Sequence, residues 1–70
     1  MRYAIVIESA GANLSAWVPD LPGCVATGAT LSEVETLLRE AITLHLDGLR
    51  ADGTPLPLPL SQVDYIEVAA

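Results

Sequence analysis

Residues 3–7 read Tyr3-Ala4-Ile5-Val6-Ile7, an unbroken apolar and largely β-branched run. Such a run marks a strand covered on both faces, and it predicts a first strand in the middle of a sheet. Small, turn-prone residues follow at 9–13. Residues 14–18 then alternate, with Leu14, Ala16 and Val18 on one side and Ser15 and Trp17 on the other. The two runs are expected to form an antiparallel hairpin, and residues 24–27 a short third strand. From Leu31 to about Arg50 the period changes from two to 3.6. Leu31, Val34, Leu37, Leu38, Ala41, Ile42, His45 and Leu49 gather on one broad helical face, with Leu44 and Leu46 on its flanks. Ser32, Thr36, Arg39, Glu40, Thr43, Asp47 and Arg50 take the opposite face. Residues 62–68 supply a last strand. A helix between two strands is a crossover, right-handed if the last strand lies parallel to the first. The expected fold is α+β: a three-stranded antiparallel meander, one long helix, and a fourth strand parallel to the first, in the order 3-2-1-4.

The breaks between these elements are as informative as the elements. In Pro19-Asp20-Leu21-Pro22-Gly23-Cys24, proline presets φ at the first corner of a turn. Glycine reaches the positive φ that the second corner of a type II turn requires. Pro19 also pushes Val18 toward extended backbone and ends the second strand. Asp20 between the prolines is suited to accept hydrogen bonds from nearby turn amides, or to contact a partner. Thr30 followed three residues later by Glu33 is a capping box. Gly53 suits the left-handed position after the helix. Glu35 and Arg39 form an i, i+4 pair in the favourable order, worth a few tenths of a kcal/mol, roughly, on a solvated face. Prolines at 55, 57 and 59 forbid a helix and remove alternate donors, so residues 54–60 are expected to be a stiff connector.

With 70 residues and no internal repeat, the chain makes one domain, and a domain of that size buries only about 60% of its unfolded surface. Half of its residues are hydrophobic (51%) and its mean hydropathy is +0.46. Apolar surface is therefore expected to be left over for a second copy or a partner, and the predicted state is a homodimer or homotetramer. Nine acidic residues face three arginines and no lysine, a net charge of −6. Nucleic-acid binding is driven by clustered cations, and Arg2, Arg39 and Arg50 look scattered in sequence, so direct nucleic-acid contact is not expected. A basic protein partner fits better. The lone Cys24 excludes an internal disulfide and is compatible with a reducing compartment. No apolar run reaches membrane-spanning length, and the first run meets Glu8 too early for a signal peptide. A cytoplasmic location is expected.

Candidate chemistry is sparse. His45 lies within the apolar arc and is read as a core or interface histidine. A base or metal ligand needs partners, and no second histidine exists. Pairing Cys24 with His45 as a nucleophile lacks an orienting third group, so Cys24 is read as a small buried residue. Trp17 is either a core residue or an aromatic interface anchor. The drawn architecture resembles part of an RNase H fold, whose two-metal chemistry needs several converging carboxylates. The first strand places Ala4, Ile5, Val6 and Ile7 where a ligand would stand. Glu8, Glu33, Asp64 and Glu67 read as surface, cap and strand-edge acids. No catalytic residue, metal or cofactor is expected.

An aromatic extended segment, then P-D-L-P-G-C, then T-G-x-T, a helix and a late proline run together resemble the N-terminal domain of HicB-type antitoxins. The resemblance runs from Tyr3 and Glu8 through Gly11, Trp17, residues 19–24, Thr30, Glu33, Ala41 and Gly53 to the three late prolines. It implies a protein that binds and occludes a HicA-like toxin, a small basic mRNA interferase. In such a pair the acidic, apolar-faced antitoxin covers the toxin's RNA surface and active site. HicB antitoxins usually continue into a helix-turn-helix or ribbon-helix-helix domain, and no such segment is found up to Ala70. The expectation is one HicB-like domain over residues 1–70, with DNA binding absent or supplied by another protein. The alternatives are a solitary oligomeric regulatory module without a toxin and, third, a cryptic RNase H-like hydrolase.

Overall fold

The computed structural model describes all of residues 1–70. Three strands, β1 (Val6–Ala10), β2 (Asn13–Trp17) and β3 (Val25–Gly28), form an antiparallel meander in the order β1-β2-β3, followed by one helix, α1 (Leu31–Ala51). The class is α+β, as the hydrophobic pattern predicts.

The strands of the hairpin are where the two periods place them, but β1 starts three residues late. Val6 pairs with Trp17, the last residue of β2, and beyond it Val18 leads into Pro19. Residues 3–5 therefore run past the end of their neighbour and have no ladder partner. The turn after β2 has the expected form. Cys24 N–H donates to Leu21 O at 3.1 Å across Pro22 and Gly23, and Gly23 has φ +91°. Leu21 N–H donates to Val18 O and Val18 N–H to Cys24 O, so the loop is closed three times over. An added Cβ at Gly23 would meet nothing within 4 Å. The expected penalty of Gly23→Val is therefore conformational only, about 1–3 kcal/mol. A thermal melt of that variant unchanged from the native one would rule out the strained turn.

Thr30 caps α1, with extended backbone and its Oγ1 accepting from Glu33 N–H at 3.2 Å. The reciprocal bond falls one residue early, because Glu33 Oε2 accepts from Ala29 N–H at 3.3 Å. Gly28 makes this corner compact. A Cβ there would sit 3.1 Å from both Glu33 Cγ and Val34 Cγ2, so those side chains would have to shift by a few tenths of an ångström to admit it. At the other end Gly53 is left-handed (φ +70°). Gly53 N–H donates to Arg50 O and Thr54 N–H to Leu49 O, the two bonds of a Schellman stop.

The helix lies across β2 and β3 and leaves β1 clear. Seven apolar side chains are buried: Ala16, Val18, Leu21, Cys24, Val34, Leu38 and Leu46. Tyr3, Ile5, Leu14, Ala26, Ile42, Leu49 and Leu56 pack around them, half exposed. The buried stripe is narrower than the predicted arc. Leu31, Leu37 and Leu44 stay exposed, whereas Leu46, expected on a flank, is buried. Two strands offer too little surface to cover the whole arc.

The fourth strand is not formed. Residues 62–68 belong to no ladder, and β1 stands at the edge of the sheet instead of its middle. Neither the 3-2-1-4 order nor the likeness to part of an RNase H fold is therefore realised; only the 3-2-1 portion is. The connector ahead of this segment is held at two points. Tyr3 Oη donates to Pro57 O at 2.6 Å, and Asp20 accepts from Ser61 N–H at 2.9 Å and Ser61 Oγ–H at 2.8 Å. Between them Leu60 N–H closes a three-residue turn on Leu58 O. Asp20 thus pins a segment 41 residues away, where a bond within its own turn was the sequence-based expectation.

Candidate functional site

In an antiparallel pair, residues directly opposite share a face, so the register sorts the sheet into two sides. Ala16 faces the helix and is fully buried. The neighbouring positions Val6, Trp17 and Val25 pair in a row across all three strands on the other side, and Glu8, Ser15 and Thr27 form the next row. No element of the chain covers this side. Trp17 is 40% exposed and Val25 63%. The Trp17 indole Nε1–H donates to Glu8 Oε1 at 2.9 Å, one row over, which fixes the ring on the sheet surface. The sequence allowed either a core or a surface role for Trp17, and the register decides for the surface.

His45 is half-buried on α1, and the four residues 19–22 with Gly23 form the turn at the far end of β2, so the sequence-derived site residues do not converge. Thr30 and Glu33 serve the helix start. Glu35 and Arg39 are not joined; Arg50 Nη1 and Asp47 Oδ1 at 3.2 Å form the one ion pair, between two exposed side chains, and such a pair adds little stability. No group of three or more His, Cys, Asp or Glu side chains comes together.

Cys24 is buried, with Sγ 4.0 Å from the carbonyl oxygen of Ala41 on the helix. Burial pushes its thiol above the ordinary value of 9.0, which disfavours the thiolate a nucleophile needs. The unfolded chain gives up this proton at lower pH than the folded one. The contribution to stability is therefore complete below pH 9.0 and is lost as pH rises through the folded value. The melting temperature of the native chain is expected to fall more steeply above pH 9.0 than that of Cys24→Ala. Parallel profiles would show that the thiol is not desolvated.

Sequence reasoning missed one grouping. Arg2, Arg39 and Arg50, scattered along the chain, line one open cleft of about 600 Å³ between the N-terminal segment and α1. The signal was available in principle: Arg39 and Arg50 are eleven positions apart, three helical turns, and so share a face.

Fold and surface together define a small, acidic α+β domain that keeps a tryptophan-centred sheet face and several leucines on its outside. Residues 3–69 match the model of the HicB-like antitoxins of bacterial toxin–antitoxin systems, and the chain belongs to that family. It is also similar to an uncharacterized 14.9 kDa protein in the rep-hol intergenic region of Haemophilus phage HP1, at 42% identity over 57 residues. Those residues are 81% of this chain and 43% of the phage protein, so the chain spans less than half the length of that relative. No solved structure matches it. No helix is long and apolar enough to cross a membrane.

Proposed function

We propose that the chain neutralises a HicA-like toxin, a small basic mRNA interferase, by covering its RNA-binding surface and active site. Membership of an antitoxin family implies a toxin partner. The observation that supports the docking face is the row Val6, Trp17 and Val25 on the uncovered side of the sheet, with Trp17 and Val25 exposed, Val6 half-buried and Glu8 at its border. Aromatic side chains held rigid by a hydrogen bond lose little entropy on binding and form the energetic centre of many interfaces. The net charge of −6 steers a basic partner toward this surface and opposes RNA. His45, half-buried on the opposite layer, is left as a packing or self-association residue. The chain acts by contact and contributes no catalytic group, metal or cofactor.

We place the chain in the cytoplasm, where such a toxin meets its mRNA, and assign it a homodimeric or homotetrameric state from the apolar surface left outside the core. The test is co-expression with the reading frame adjacent to its gene, which is expected to encode a small basic protein. Recovery of a stoichiometric complex and restored growth are expected. Growth arrest undiminished by the chain, with no complex recovered, would overturn the assignment.

A further inference from the structure

The arginine cleft differs in sign from the rest of the surface. Against the three guanidinium groups only one carboxylate, Glu35, stands on its lining, in a chain whose net charge is −6. Arg50 spends part of its charge on Asp47, while Arg2 and Arg39 have no acidic side chain within ion-pair distance. Beneath the arginines, Tyr3, Ile5, Leu38 and Ile42 supply an apolar floor. A segment that carries both acids and bulky apolar groups would suit this cleft.

The chain contains one. Residues 62–68 read Gln-Val-Asp-Tyr-Ile-Glu-Val. Past the anchor at Ser61 every residue is exposed, with Tyr65 at 90%, Ile66 at 88% and Val68 at 73%. The molecule as a whole measures 48 Å along its main axis, with a radius of gyration of 13.8 Å. A compact chain of this length has about 11 Å. Meanwhile β1 pairs only with β2, so the N–H and C=O groups along its outer edge are free. The unpaired residues 3–5, which border the cleft, continue that edge.

The geometry points to reciprocal strand exchange between two copies of this chain, in which residues 62–68 of each enter the other's arginine cleft and add to the outer edge of its first strand. The inference rests on the reading that the chain self-associates, and it supplies the contact. Seven residues extend about 23 Å, enough to run along an edge of similar length. Successive side chains of a strand point to opposite faces, so Tyr65 covers the apolar floor and Glu67 beside it meets the arginines, while Asp64 and Ile66 lie on the other face of the extended sheet. Because each chain carries both segment and cleft, the contact is self-complementary and closes as a twofold dimer. The fourth strand that the sequence pattern predicts is then supplied by the partner.

Sedimentation equilibrium on the full chain tests this. The native chain is expected to be dimeric at micromolar concentration. Tyr65 and Ile66 are 90% and 88% exposed in the single chain, so Tyr65→Asp combined with Ile66→Asp is expected to leave the fold intact, visible as an unchanged helical signal, and to weaken the dimer roughly 100-fold. Arg39→Glu is expected to weaken it about tenfold, and Glu67→Arg in the same chain to restore it. A monomeric native chain would overturn the exchange and the self-association together. A dimer indifferent to the Tyr65 and Ile66 changes would overturn the exchange alone, and so would a charge reversal at Arg39 that Glu67→Arg does not rescue.

Discussion

Leu21→Ala is expected to leave much of the domain unfolded at 25 °C. Leu21 is fully buried and is one of only seven apolar side chains at the centre of the molecule. It occupies the middle of the Pro19 to Cys24 loop, whose backbone is closed by the bonds Leu21 N–H to Val18 O and Cys24 N–H to Leu21 O. The side chain therefore works as the plug that fastens the loop to the helix side of the sheet. Removing a buried leucine costs about 2–5 kcal/mol, transfer and cavity terms together. A domain of this size without disulfide or metal rarely has more than about 3–5 kcal/mol in total. The melting midpoint followed by circular dichroism should fall by at least about 10 °C. Leu44→Ala removes the same atoms from a side chain that is 75% exposed, and should change stability by less than about 0.5 kcal/mol. If the two variants melted together, the loop would not be part of the core.

The contrast between these two leucines also shows which parts of the fold are legible in the sequence. Local rules are sufficient where backbone chemistry dictates shape. Pro22 and Gly23 specify the turn, Thr30 the helix start and Gly53 its end, and each is found with the hydrogen bonds those residues require. The alternation of Leu14, Ala16 and Val18 against Trp17 gives the faces of β2 correctly, because period two leaves no other assignment. What local rules leave open is how much surface the rest of the chain has available. The helical periodicity puts Leu31 and Leu37 on the apolar face and Leu46 on its flank, and only the placement of α1 over β2 and β3 decides that Leu46 goes inside while Leu31 and Leu37 stay out.

The same limit explains the last strand. Residues 62–68 have strand chemistry, and β1 has a free edge for them, yet Asp20 and Tyr3 hold the preceding residues where the segment leaves the domain uncovered. A pattern of residue types reports what a segment can pair with, whereas the anchors at Pro57 and Ser61 decide where it emerges. Those anchors join residues more than forty positions apart, so no window of sequence contains them. The arginine cleft has the same origin, since Arg2 reaches the helix only through the packing of Tyr3 and Ile5 on the core.

Trp17→Ala is expected to separate binding from folding. The ring lies on the side of the sheet that the helix does not cover and is 40% exposed, so its loss opens no core cavity. The melting midpoint should move by no more than the equivalent of about 1 kcal/mol. The toxin's affinity should fall far more. An aromatic residue at the centre of an interface contributes about 2 kcal/mol or more, roughly 30-fold in Kd. Glu8 refines the test, because its Oε1 accepts the indole N–H at 2.9 Å from the neighbouring row and so puts a carboxylate beside the ring. Glu8→Gln keeps an acceptor and removes the charge, so it should slow association with a basic partner and weaken its salt dependence while dissociation changes little. Trp17→Phe keeps the apolar ring and loses the hydrogen bond that orients it, and should fall between the native chain and Trp17→Ala. Titration calorimetry of the purified toxin against the four chains reads the affinities, and stopped-flow mixing at two salt concentrations reads the association rates. Native affinity in Trp17→Ala would move the docking surface away from this face of the sheet, to the exposed leucines of α1.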